Sequence, residues 1–177
     1  VWAKNLGMPD NVYGYASSLA LYKNLVFVQY DQGLPDDDQS VLYAFDGETG
    51  SIAWQAKRPV GGSWTTPIFA VTDDGPQLIT TSEPWVISYE AETGTEIWRA
   101  DLLGMDLAPS QVYAQGKAFI IKPNESLIAI RTNGQGDITD SHVEWIKDCA
   151  APDICSPVTN GELIFLLGTA GDLTCYD

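Results

Sequence analysis

The chain has 177 residues, 45% of them hydrophobic, with 24 acidic against 9 basic side chains and a formal net charge of −15. That length allows one domain or several small repeated units, and no run of about 18 apolar residues is present to span a membrane. So acidic a chain lacks the Lys and Arg clusters that grip phosphates, which excludes nucleic acid as a partner; the acidic surface reads as solvated, with basic partners as the complementary class.

The chain opens on Val1-Trp2-Ala3-Lys4 without the basic-then-apolar pattern of a signal peptide, as a processed or truncated chain also would. Ser17-Ser18-Leu19 then leads into the apolar run Leu25–Tyr30. Residues 31–40, with Asp31, Asp36, Asp37 and Asp38, form the densest acidic loop. It lacks the spacing of a helix–loop–helix calcium site, so it reads as a solvated hairpin loop, with weak calcium binding as the sharper alternative.

Ala44-Phe45-Asp46-Gly47-Glu48-Thr49-Gly50 ends in Trp54, and forty-four residues later Ser88-Tyr89-Glu90-Ala91-Glu92-Thr93-Gly94 ends in Trp98. A period in the forties marks a repeat architecture. A weaker copy runs through Ile128-Ala129-Ile130-Arg131 to Trp145, with residues 132–141 in place of the tight turn, and a last one stops at Leu173-Thr174-Cys175-Tyr176-Asp177. Trp2, Trp54, Trp98 and Trp145 are thus equivalent, and the carboxylates of Asp46, Glu48, Glu90 and Glu92 read as turn chemistry rather than as an acid–base pair. The second shared element, Ser17-Ser18-Leu19, returns as Thr65-Thr66-Pro67, Leu107-Ala108-Pro109 and Cys155-Ser156-Pro157. Each copy precedes an apolar strand: 25–30, 77–81, 118–122 and 163–167. No segment shows sustained helical periodicity. Four short strands per repeat of this length is the geometry of a β-propeller blade.

Several residues do not repeat. Trp64 and Trp85 could line a ligand or partner surface or pack between blades. His142 is the only histidine, which removes His-rich metal sites, and it reads as a half-exposed strand residue. Ser17, Ser18 and Ser110 have no nucleophile-elbow context. Cys149 and Cys155 bracket a turn-rich loop short enough to be stapled in an oxidising compartment, and bonded and free forms stay equally open. Cys175 alternates like a buried strand residue.

The repeated Ala-x-Asp-x-x-Thr-Gly-x-x-x-Trp pattern resembles the PQQ-like, quinoprotein-type β-propeller repeat over nearly the whole chain. Residues 127–145, Ser156–Phe165 and Gly171–Asp177 are similar to the planctomycete-type members, and the outer-membrane assembly factor BamB is a more distant relative. The resemblance implies an all-β chain of about four four-stranded blades, near 17–54, 64–98, 107–145 and 155–177, within a seven- or eight-bladed ring. Val1 to about Leu6 then either completes the last blade or belongs to a preceding one. Family dehydrogenases carry an adjacent Cys-Cys pair, calcium ligands and a catalytic Asp. No adjacent Cys pair occurs here and no Asp matches, so neither PQQ nor calcium is expected, and no catalytic, cofactor-binding or metal-ligating residue is assigned. The expected role is an extracytoplasmic, non-catalytic scaffold, partnered by another protein, by the remaining blades of its propeller or by a second copy. A quinoprotein dehydrogenase fragment and a BamB-like assembly subunit are the alternatives.

Overall fold

Alternating apolar residues and Gly, Asn, Asp and Pro turns resolve into four antiparallel sheets in the computed structural model, which describes residues 1–104 and 106–177. Sheet 1 is β1 (Ala20–Tyr22), β2 (Leu25–Tyr30), β3 (Ser40–Asp46) and β4 (Ile52–Arg58). Sheet 2 is β5 (Ile68–Thr72), β6 (Gly75–Ser82), β7 (Trp85–Glu90) and β8 (Glu96–Asp101). Sheet 3 holds β9 (Val112–Ala114), β10 (Lys117–Lys122), β11 (Ser126–Arg131) and β13 (Val143–Asp148). Sheet 4 holds β14 (Val158–Thr159), β15 (Ile164–Leu167) and β16 (Leu173–Tyr176). The only helical element among the described residues is a 3-10 turn at Pro35–Asp37.

Strand count departs from the expected four per blade in two places. Sheet 4 has three strands, and sheet 2 gains a fifth because β12 (Gly136–Asp137), from the long 132–142 connection of sheet 3, pairs parallel to β8. The unpaired edge of β8 is thereby covered by the neighbouring repeat, which blunts a template for strand addition. The described sheets form no closed ring.

One register recurs in sheets 1 to 3. Ala44 lies opposite Trp54, Ser88 opposite Trp98 and Ala129 opposite Trp145, and each ladder shifts by a bulge just after the small residue. The small side chain leaves room for the indole across the strand, and the bulge re-aims the strand end toward the next sheet. There the indole N–H finds a carbonyl. Trp54 Nε1 donates to Ala91 O at 3.1 Å and Trp98 Nε1 to Thr132 O at 3.2 Å, in each case the residue following the acid position of the next repeat. Trp2 Nε1 reaches the equivalent Gly47 O at 3.0 Å. Val1 and Trp2 pair with no strand, so the first residues do not complete sheet 4; Trp2 occupies on sheet 1 the place that Trp54 occupies on sheet 2.

The Thr-Gly turns explain themselves in the same way. Asp46 Oδ1 accepts from Thr49 N and Thr49 Oγ1, both at 2.8 Å, and Asp46 Oδ2 from Asn24 Nδ2 at 2.8 Å, bonds that hold this carboxyl below the usual carboxylate range. Gly50 and Gly94 have φ of +70° and +73°, and a Cβ on either would fall 2.4 Å from the ring of Trp2 or Trp54. Gly94→Ala is therefore expected to cost about 2 kcal/mol or more, the left-handed backbone alone accounting for roughly 1–2 kcal/mol. Gly50→Ala should cost less, because Trp2 lies on an irregular, 39% exposed segment and can move aside. Urea unfolding of the two variants checks the order.

Cores form between sheets. Phe27, Leu42 and Ala44 of sheet 1 pack against Leu78, Ile87 and Tyr89 of sheet 2. Ile79, Val86 and Trp98 pack against Ala118, Ile120 and Ile128, and Phe119, Ile121 and Leu127 against Ile164 and Leu166. On sheet 4 the residues equivalent to Phe119, Ile121, Leu127 and Ala129 are Phe165, Leu167, Leu173 and Cys175. No sheet among the described residues covers them: Leu173 is 73% exposed, and Cys175 is exposed rather than buried as its alternation suggested. Alternation reports which face a residue occupies, and burial depends on what lies over that face.

A candidate binding face at the connection end

In sheets 1 to 3 the links joining strands 1–2 and 3–4 lie at one end, the hairpin end, as does the β14–β15 hairpin of sheet 4. The links between strands 2 and 3, and between successive sheets, lie at the other, the connection end. The second shared element of the repeat sits here and closes a relay: Ser18 N donates to Thr66 Oγ1 at 3.0 Å, Thr66 N to Ser110 Oγ at 2.8 Å and Ser110 N to Ser156 Oγ at 2.9 Å. Ser110, not Ala108, is thus the equivalent of Thr66 and Ser156. The hydroxyls of Ser110 and Ser156 accept these bonds and so tie the connections of successive sheets together.

Beneath this relay lies a buried polar seam between sheets 1 and 2. Asp31 is fully buried, unlike Asp36, Asp37 and Asp38 of the same loop, because Arg58 at the end of β4 is buried with it. Arg58 Nε donates to Asp31 Oδ1 at 2.8 Å and Arg58 Nη2 to Asp31 Oδ2 at 3.2 Å; Ser63 Oγ donates to Oδ2 at 2.8 Å. Arg58 Nη1 also reaches Thr80 Oγ1 at 2.6 Å. Gln29 Nε2 lies 2.7 Å from Asp31 Oδ2 and 3.0 Å from both Thr65 Oγ1 and Thr81 O. This seam is an internal clamp in which Asp31 and Arg58 offset each other's charge, and it anchors loop 59–67 through Ser63 and Thr65, on either side of the half-buried Trp64.

At Trp64 the non-repeating 31–40 loop meets the N-terminal segment. It lines a cleft of about 180 Å³ with Gly33 and Leu34 of the 31–40 loop, Asp10 and Val12 of the N-terminal segment, and Glu83 and Asp106 of the connections of sheet 2. The N-terminal segment is held by Gly33 N donating to Asp10 O at 2.8 Å and by Asp10 N donating to Gln32 Oε1 at 3.1 Å. Tyr13 tilts over Trp64 with ring centroids 5.2 Å apart. The N-terminal contribution was not legible beforehand, since residues 8–15 carry no motif.

The other singled-out residues lie elsewhere. Trp85 packs into the core between sheets 1 and 2 and under the Arg99 guanidinium, 5.1 Å from its ring centroid, so it is a packing residue. Asp36, Asp37 and Asp38 are exposed, Asp38 paired with Lys57 at 2.8 Å. His142 is half-buried just before β13, its Nδ1 2.8 Å from Ser141 Oγ. Cys149 and Cys155 are unbonded. A larger cleft of about 380 Å³ at the hairpin end, between Asp73 and Lys117, is lined by strand ends and turn residues of sheets 2 and 3, and its Lys117 is paired with Glu144 at 2.7 Å.

Comparison with known proteins follows this geometry. Residues 37–177 match the family model of the outer membrane protein assembly factor BamB. Among solved structures, BamB from Moraxella catarrhalis superposes with a TM-score of 0.65 at 11% identity, covering 93% of this chain and 50% of that one. The computationally designed Ika4 protein gives 0.63 at 11% identity, covering 91% and 89%. Quinohemoprotein alcohol dehydrogenase from Comamonas testosteroni gives 0.52 at 14% identity, covering 79% and 22%. At these identities the likeness is one of fold, and the chain spans half the length of the BamB structure. No curated protein matches it. With the repeat signature, the sheet geometry and the family match in agreement, the chain belongs to the BamB-type family of PQQ-like repeat β-propellers.

Proposed function

We propose that the chain is a non-catalytic propeller scaffold that holds a protein partner outside the cytoplasm, as the family description of an outer-membrane assembly factor suggests. The observation that carries this reading is convergence: the repeating residues are spent on turns and sheet contacts, while Trp64, the 31–40 loop and the N-terminal segment meet in one cleft at the connection end. Rigid sheets presenting connections on one face suit recognition. The likeness of residues 127–145 to planctomycete-type repeats stands as a finer proposal on the same footing. For the bare face of sheet 4, the proposed partners are further blades of the same propeller or a second copy.

The dehydrogenase alternative is less well supported, because the donor set does not fit a quinone–calcium site. Among the described residues no three His, Cys, Asp or Glu side chains converge to hold a metal. Asp31, the buried carboxylate at this end, is already bonded to Arg58, Ser63 and Gln29. Titration with PQQ and calcium is expected to give neither a quinone spectral shift nor dye-linked oxidation of alcohols or sugars. Dye-linked turnover overturns the scaffold reading. Crosslinking that captures outer-membrane assembly proteins, identified by mass spectrometry, supports it.

A further inference from the structure

We propose that the Trp64 cleft receives an arginine or lysine side chain from a basic, apolar-flanked segment of the partner protein. The inference rests on the scaffold reading and names the chemistry of its site. At about 180 Å³ the cleft is smaller than the roughly 300–1,000 Å³ of small-molecule pockets, so it suits a single side chain. The aromatic residue that lines it is Trp64, the side-chain type that attracts a cation most strongly. Three acidic residues, Asp10, Glu83 and Asp106, line it, and no Lys or Arg does. Those carboxylates do not converge as a metal-ligand set among the described residues, which favours an extended organic cation over an ion.

The surroundings fit the flanks of such a segment. Val12, Tyr13 and Leu34 are 90%, 78% and 66% exposed around the cleft, an apolar collar of the kind that marks an interaction surface. Beyond it lie the exposed Asp36 and Asp37. A cation in the cleft with apolar neighbours on the collar satisfies both features. An anionic partner, whether nucleic acid or a membrane headgroup, satisfies neither.

The test uses a fluorescein-labelled peptide alternating arginine and leucine, with its glutamate–leucine counterpart, read by fluorescence anisotropy on the whole chain. The arginine–leucine peptide is expected to bind and the glutamate–leucine peptide not to. Trp64→Ala should weaken binding about tenfold, Trp64→Phe by less, and Glu83→Gln with Asp106→Asn by several-fold, in line with a desolvated cation–aromatic contact. Glu162→Gln, at the hairpin end, should leave affinity unchanged. Trp64→Phe preserves the packing ring and keeps the test valid should Trp64→Ala fail to fold. Equal binding of both peptides overturns the proposal, as do Trp64→Phe and Glu83→Gln/Asp106→Asn behaving like Glu162→Gln. If assembly proteins are still captured in that case, the scaffold reading stands and the cleft assignment alone falls.

Discussion

Asp31→Ala is expected to lower the free energy of unfolding by about 3–5 kcal/mol, because it strands the Arg58 guanidinium without its counter-ion in a fully buried site. The loss should appear as a lower urea midpoint with an unchanged slope. The pair clamps β2 and β4 of sheet 1 to Ser63 of the connecting loop and, through Thr80, to sheet 2, so its removal loosens a sheet–sheet contact and not just a loop. The double variant Asp31→Leu/Arg58→Met distinguishes lost attraction from a stranded charge. Replacing both partners by apolar side chains removes the desolvation penalty of each. Thr80 Oγ1 keeps Ile87 O as its acceptor at 3.0 Å, and Gln29 Nε2 keeps Thr65 and Thr81. The double variant should therefore recover most of the stability that either single change removes. A double variant as unstable as Asp31→Ala would show that the pair itself, with its orientation of Ser63, sets the geometry of loop 59–67.

What the sequence made legible was local chemistry. The small residue, the acid, the Thr-Gly and the Trp each act within a turn or across one strand pair, so their spacing survives in the chain as a readable signature. Asp31 was read with the solvated loop because the partner that buries it lies 27 residues away, and nothing around Asp31 announces Arg58. The parallel pairing of β12 with β8 was equally hidden, since a two-residue strand has no periodicity to read. Ser110 was missed by a two-residue offset in the connection before sheet 3, where the motif aligned Ala108 with Thr66 while the hydrogen-bond relay runs through Ser110. The candidate cleft lay between these cases. Trp64 and the 31–40 loop stood out because they do not repeat, but their meeting with Asp10 and Val12 is tertiary.

Trp98→Ala is expected to cost about 3–5 kcal/mol, the range for deleting a large aromatic from a core. Trp98 is the most deeply held of the repeated tryptophans, 0% exposed. Its ring fills the gap between sheets 2 and 3 against the cluster containing Ile120, Ile128 and Ile138, and its Nε1 lies 3.2 Å from both Gln77 Oε1 and Thr132 O. Truncation leaves a cavity and removes one donor from each of two buried acceptors, which keep Ser88 Oγ and Gln77 Nε2 respectively. The same substitution at Trp2 should cost under about 1 kcal/mol, since most surface changes do, although Trp2 makes the same kind of carbonyl contact to Gly47. The four positions are equivalent in sequence, so a gradient among them measures how completely each is enclosed. Amide exchange adds a second readout. Ile138 N donates to Arg99 O at 2.9 Å, directly beside Trp98, and holds the 132–142 connection onto sheet 2. In Trp98→Ala this amide should exchange at a markedly higher rate, while the amides of sheet 1 exchange as before. Uniform acceleration across all four sheets would instead mean that the chain unfolds as one unit and that the seams between sheets are not separately breakable.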